Sequence, residues 1–210
     1  MKTRFVLCVL VAGCTVLAAV GSANAGFIGT YVDATPTNTT PSTAFVAGGG
    51  DDYDNLWANR IDCGELSTVF ESNGHGTEDC PALTTTVSGL ANGSYQVYAV
   101  YWGNTDPNAD WPIQAAISGN SLVTYSQATG PGIATGTVSG TLAEYEAPLG
   151  IVDVSNGSFS VTVDDGGSGS QRTRYDGVSY HEVATPEPGT CVILITAAFS
   201  LLAYAWRKRK

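Results

Sequence analysis

Between residues 26 and 183, apolar and polar positions alternate in short runs, and clusters of Gly, Asn, Ser and Pro break the runs roughly every eight to twelve residues. A period of two places successive side chains on opposite faces of an extended chain, so each run predicts a β-strand. The β-branched and aromatic bias of the runs points the same way. Strands are expected at 27–32, 66–71, 83–87, 94–102, 113–117, 122–125, 151–154, 159–163 and 177–183. Nine strands so punctuated predict an all-β domain, a two-sheet antiparallel β-sandwich of jelly-roll type. In the run 94–102, Tyr95, Val97, Ala99 and Tyr101 share one face, while Gln96, Tyr98, Val100 and Trp102 share the other. Both faces are largely apolar, which predicts a strand covered on both sides or one whose outer face binds a ligand. Asn92-Gly93 and Asn156-Gly157 tolerate the positive φ of a tight turn, so a hairpin is expected at each, and a third at Ser118-Gly119-Asn120-Ser121. Residues 34–42 and 124–140 lack periodicity and read as loops.

The two ends follow another pattern. Residues 1–25 join Lys2 and Arg4, an apolar run, and Ala23-Asn24-Ala25. This is the layout of a secretory signal, an apolar helix cut by signal peptidase between Ala25 and Gly26. Val11-Ala12-Gly13-Cys14 resembles a lipobox, which would put a lipid on Cys14, but the apolar run continues past that cysteine. At the other end stand Pro186-Glu187-Pro188, an apolar or weakly polar run over 191–206, and Arg207-Lys208-Arg209-Lys210. The sixteen residues of that run fall short of the roughly 20 that span hydrocarbon comfortably. They predict a short transmembrane helix, marginal as an anchor, with its basic end in the cytoplasm. The chain thus divides into a leader (1–25), one domain (26–183) and a tail (184–210).

Charge changes the picture of the middle part. The net charge of −10 includes six basic residues at the two ends; between residues 26 and 185 three arginines face eighteen carboxylates, which leaves −15 and no lysine. Such a surface repels phosphate backbones and excludes nucleic acid as a partner. It keeps an exported protein soluble and leaves neutral glycans and divalent cations as ligand classes. With the leader and the tail set aside, Cys63 and Cys80 remain. In an exported domain they are expected to form one disulfide, worth about 3 kcal/mol in the loop-entropy account.

Neither His75 nor His181 is accompanied by a Gly-x-Ser-x-Gly elbow, a His-Glu-x-x-His pair or a phosphate-binding glycine loop. A non-catalytic protein without an organic cofactor is therefore expected. The adjacent acids Asp51-Asp52, Glu78-Asp79 and Asp164-Asp165 leave a secreted glycan or ester hydrolase as the enzymatic alternative. Clustered carboxylates also suit calcium, and Asp51, Asp52 and Asp54 are the first candidates for it, with the Asp164-Asp165 loop as a second. In the segment YWGNTDPNADWP, Trp102 and Trp111 offer rings for sugar stacking beside the hydrogen-bonding groups of Asn104 and Asp106; the competing reading puts both rings in the core.

Pro186-Glu187-Pro188, the apolar run and the basic end resemble a PEP-CTERM sorting signal, the element that exosortases of certain Gram-negative bacteria recognise. The resemblance implies transient residence in the inner membrane, a cut at or near Pro-Glu-Pro, and release to the cell envelope, extracellular matrix or medium. A permanent single-span anchor is the alternative. Two stretches of the domain, VSGLANGSYQVYAVYW and RYDGVSYHEV, resemble the galactose-binding-like jelly roll of many carbohydrate-binding modules. That likeness implies a fold, with an extracellular polysaccharide as partner. The expectation is an exported, exosortase-sorted surface or matrix protein, structural or glycan-associating. A binding module with one specific sugar ligand and a hydrolase are the alternatives.

Overall fold

The computed structural model describes residues 26–47, 54–61, 68–72, 79–106, 111–165 and 172–183, together with 196, 204 and 206–208. The leader, Cys63, His75, Asp51, Asp52 and the Pro-Glu-Pro triplet lie outside the described residues. So does most of the tail, and among the described residues no helix is long and apolar enough to cross a membrane.

Thirteen strands are described: β1 (Thr30–Asp33), β2 (Thr39–Thr40), β3 (Phe45–Ala47), β4 (Trp57–Ile61), β5 (Thr68–Glu71), β6 (Leu83–Ser88), β7 (Gly93–Asn104), β8 (Ile113–Ile117), β9 (Val123–Tyr125), β10 (Ile133–Ser139), β11 (Leu142–Val154), β12 (Ser158–Asp164) and β13 (Arg174–Glu182). The larger sheet has the order β10-β11-β7-β13-β5-β4-β3, with β1 also paired to β13; the smaller has the order β2-β6-β12-β8-β9. Neighbouring strands run antiparallel except β3 and β4, which are parallel. The two sheets share one apolar core: Tyr95, Val97, Ala99, Tyr101 and Tyr175 from the larger meet Leu83, Val87, Ile113, Phe159, Val161 and Val163 from the smaller.

The alternation in β7 and β12 explains their placement. In β12 buried and half-buried positions alternate, one face on the core and one toward solvent. In β7 both faces are closed from Val97 onward, because β11 and β13 flank it and the far side is covered as well.

Several expectations change. Of the predicted loop 124–140, Ile133–Ser139 is an edge strand on β11. Ile133 and Val138 are exposed there, so no buried stripe betrays it. Strand β11 begins nine residues before the expected 151, since its buried positions include Glu144 and Glu146 and its pattern is broken by Pro148 beside a register shift. Strands β2, β3 and β4 were not anticipated. The Asn-Gly turns at Asn92 and Asn156 do not close hairpins: β6 and β12 belong to the small sheet, β7 and β11 to the large one. Both are crossovers between sheets, joined by the Leu90 N–H to Gly157 carbonyl bond at 3.0 Å. Gly157 has the positive φ of 77° foreseen for it, but turn chemistry alone does not say which partner the next strand takes. The Ser118-Gly119-Asn120-Ser121 turn does join paired strands, β8 and β9.

Candidate functional site

Because Tyr101, Tyr145 and Tyr175 point into the core, their neighbours in β7, β11 and β13 point away from it. The register sets Trp102 opposite Glu144 and Val100 opposite Glu146. A register shift between Tyr175 and Gly177 inserts Asp176 beside them. The outer face of the large sheet therefore carries Glu71, Trp102, Glu144, Glu146 and Asp176, each at most 2% exposed. Gly177 admits the strand that covers them, for a Cβ there would stand 2.3 Å from the Val32 carbonyl oxygen.

Each acid has a defined partner. Asp176 accepts from the Trp102 indole N–H and from the Tyr31 hydroxyl, both at 2.8 Å. Glu144 accepts from the Thr135 hydroxyl at 2.7 Å. Glu146 accepts the Ile28 N–H on both oxygens at 3.2 Å and the Ser179 hydroxyl at 2.5 Å. Glu71 lies between Arg172 at 2.8 Å and Arg174 at 3.1 Å. Burial pushes the Asp176 carboxyl up to about 7, with the charge of Glu144 adding to the rise and the bonds from Tyr31 and Trp102 opposing it. Burial, then the charge of Asp176, raises the Tyr31 hydroxyl above the ordinary phenol range.

Trp102 thus has no exposed ring. It packs against Val69 and Leu142, which corrects the expectation of a stacking platform at this position. Asn104 is buried as well and caps a turn by accepting the Asp106 N–H at 2.9 Å. Asp106 is exposed, and Trp111 is half-buried with the Arg174 guanidinium 5.0 Å from its ring centroid. The four residues do not form one aromatic platform. His181 is half-buried beside the ring of Tyr98.

A second cluster forms where β12 ends. Asp79, Asp164 and Asp165 bring carboxylate oxygens within 4.8 Å of one another. The Asn55 side chain accepts the Asp79 N–H, and Asp165 accepts the Cys80 N–H, both at 3.0 Å. Burial raises the Asp164 carboxyl, and the charges of Asp165 and Asp79 add to the rise. Of the first three calcium candidates, Asp54 is described; it is exposed, and its carboxylate accepts the Leu56 N–H at 2.8 Å. Among the described residues, the acids that come together with oxygens suited to a hard cation are those of the second loop, with Asp79. Cys80 is buried at this corner, and its expected partner Cys63 lies outside the described residues.

The third feature is the outer face of the small sheet. Thr40, Thr84, Thr86, Ser118, Ser160 and Thr162 stand on it. Their hydroxyls meet across strands, Thr84 to Thr162 at 3.3 Å, Ser118 to Thr162 at 2.8 Å and Thr86 to Ser160 at 2.9 Å. These six are exposed or half-buried and uncharged.

Residues 184–210 match the PEP-CTERM protein-sorting motif, and this marks the chain for export and sorting to the cell envelope. No curated protein matches the chain. Among solved structures it is similar to an exo-β-1,3-galactanase from Phanerochaete chrysosporium, with 16% identity over 73% of this chain and 29% of that one, at a TM-score of 0.39. It is similar also to the CBM36-1 domain of a multidomain xylanase from the hindgut metagenome of Trinervitermes trinervoides (13% identity, 66% of this chain, 92% of that one, TM-score 0.37). The third is a GH26-CBM35 β-(1,4)-mannanase from Podospora anserina (10% identity, 64% and 27%, TM-score 0.39). The chain spans less than a third of the galactanase and of the mannanase.

Proposed function

We propose that the protein is exported with loss of residues 1–25, sorted through its tail by an exosortase to the cell surface or extracellular matrix, and works there without catalysis. Its jelly-roll-type β-sandwich associates with neutral extracellular polysaccharide through the outer face of the small sheet. The observation that carries this reading is the hydroxyl array centred on Thr84, Thr162, Ser160 and Ser118. Strands stand about 4.8 Å apart, so the array repeats at a spacing on the scale of a sugar ring. Each hydroxyl both donates and accepts, as sugar hydroxyls do. The centre of the face lacks charge, Asp164 standing at its edge where β12 ends, on a domain whose balance is −15, so a neutral chain approaches the hydroxyls without stripping water from an ion. The acids of the large sheet support the non-catalytic part of the reading, because Asp176 and Glu146 accept their hydrogen bonds from groups that hold the fold together.

The test is retention of the processed protein on insoluble neutral polysaccharides and on a glycan array. Weak retention is expected, lowered about tenfold or more, a loss above about 1.4 kcal/mol, in Thr162→Glu and Thr86→Glu. No retention by folded protein on any neutral glycan, or equal retention by both variants, would remove the proposal.

A further inference from the structure

The covering of the acidic outer face begins at Gly26. Its backbone nitrogen donates to the Thr135 carbonyl at 2.7 Å. Thr135 lies in the register shift of β10 between Ala134 and Val138, where pairing with β11 is interrupted and a carbonyl can serve an outside donor. The hydroxyl of the same Thr135 donates to Glu144. Two residues on from Gly26, the Ile28 N–H sits on the Glu146 carboxylate, and Tyr31 then reaches Asp176. The segment is thus a strap whose donors meet first the carbonyl of Thr135, whose hydroxyl binds Glu144, then Glu146, then Asp176. Arg172 and Arg174 are both directed to Glu71. Among the described residues no lysine or arginine pairs with Glu146 or Asp176.

We propose that the α-ammonium group created at Gly26 by leader removal is the structural cation of this face, so that processing completes the fold as well as releasing the domain. This rests on the cut between Ala25 and Gly26 proposed above. Signal peptidase adds water across that peptide bond. Ala25 leaves with the leader as a carboxylate, and the Gly26 nitrogen takes protons to become an ammonium. An uncharged amide with one N–H becomes a cation with three, on the same carbonyl and at the edge of a face rich in carboxylates. The titratable groups around the strap are Glu144 and Glu146 on β11, Tyr98 on β7, Asp176 and His181 on β13, and Tyr31 and Asp33 on β1.

The experiment compares three forms of the processed chain, residues 26–210 in detergent at low salt: free Gly26, Nα-acetylated Gly26, and a form extended by Ser22-Ala23-Asn24-Ala25. At pH 6 the free form is expected to melt about 2–4 °C above the other two. An amine that gains carboxylate neighbours has its folded pKa raised above the ordinary 7.7–8.0, so this margin is complete below that range and vanishes as pH rises through the folded value. Glu146→Gln should shrink the margin; if that variant does not fold, Glu144→Gln serves, and titration of the Gly26 amine by NMR needs no variant. Equal melting of the three forms at pH 6, or an amine titrating at or below its ordinary value, overturns the proposal. Sequencing the native N-terminus checks the cut itself, and polysaccharide retention is read separately from both.

Discussion

Replacing Asp176 with Asn isolates the buried acid of the outer face. The unfolded chain gives up this proton near 3.8, whereas the folded chain holds it to about 7. Between those values the native state binds more protons than the unfolded state, so this carboxyl makes stability fall as pH rises. At about 1.4 kcal/mol per pH unit, the loss accumulated by pH 8 is about 4 kcal/mol. The ionised group is unfavourable because it is 1% exposed and faces Glu144, and two hydrogen bonds offset this only in part. Asn can keep both: its oxygen accepts the Trp102 N–H, and its amide donates to Tyr31, whose hydroxyl is free to turn. Urea unfolding of both proteins at pH 4, 5, 6, 7 and 8 should therefore give curves that meet at low pH, separate progressively between about pH 4 and 7 and stay apart at pH 8, the Asn protein being the more stable. Acids remote from Asp176 contribute equally to both proteins and cancel in the difference, whereas Glu144, which faces it, belongs to the same titration. A difference that stays constant from pH 4 to 8 refutes the assignment of a raised Asp176, and a growing deficit of the Asn protein refutes its sign.

Two further outcomes follow from the geometry. Trp102→Phe removes the indole N–H from Asp176 and should cost about 1.5–3 kcal/mol at pH 8 by urea unfolding, while polysaccharide retention stays unchanged, since the ring has no exposed surface. Changing Pro186, Glu187 and Pro188 together to Ala should leave the chain in the inner-membrane fraction at the full mass of 26–210, where the parent chain is expected to lose its tail; intact-mass measurement distinguishes the two.

Much of the fold is legible wherever burial and alternation coincide. In β6 and β12 one face meets an apolar core and the other meets water, so the period of two survives in the sequence. It fails where the chemistry of a face is mixed. Glu144 and Glu146 are buried under the strap, and no local signal distinguishes a buried acid with partners from an exposed one. The same blindness applies to Trp102: a tryptophan among Gly, Asn, Asp and Pro looks like a loop ring, while its true setting depends on Asp176, which is 74 residues away. The corner of Asp79, Asp164 and Asp165 was half visible as adjacent acids, and only the end of β12 meeting the 79–80 segment brings the third. The tail is the opposite case. Its three parts are contiguous, so sequence alone suffices for it.

The absence of lysine from the domain and the burial of its acids belong to one physical problem. With three arginines among eighteen carboxylates, ion pairing can neutralise few of the charges that the outer face encloses. Burying a carboxylate without a cation is costly, and three devices lower that cost. Hydroxyl and indole donors serve Asp176, Glu144 and Glu146. A retained proton serves Asp176 below about 7. Backbone N–H groups of the strap, beginning at Gly26, serve Glu146 and the edge of β10. One of these devices depends on conditions outside the chain through pH, and the processing proposed at Gly26 would add a second. The covered face should therefore be the part of the domain most responsive to where the protein is. The centre of the small sheet, which meets the surroundings through neutral hydroxyls, should present the same surface across the pH range in which Asp176 changes charge.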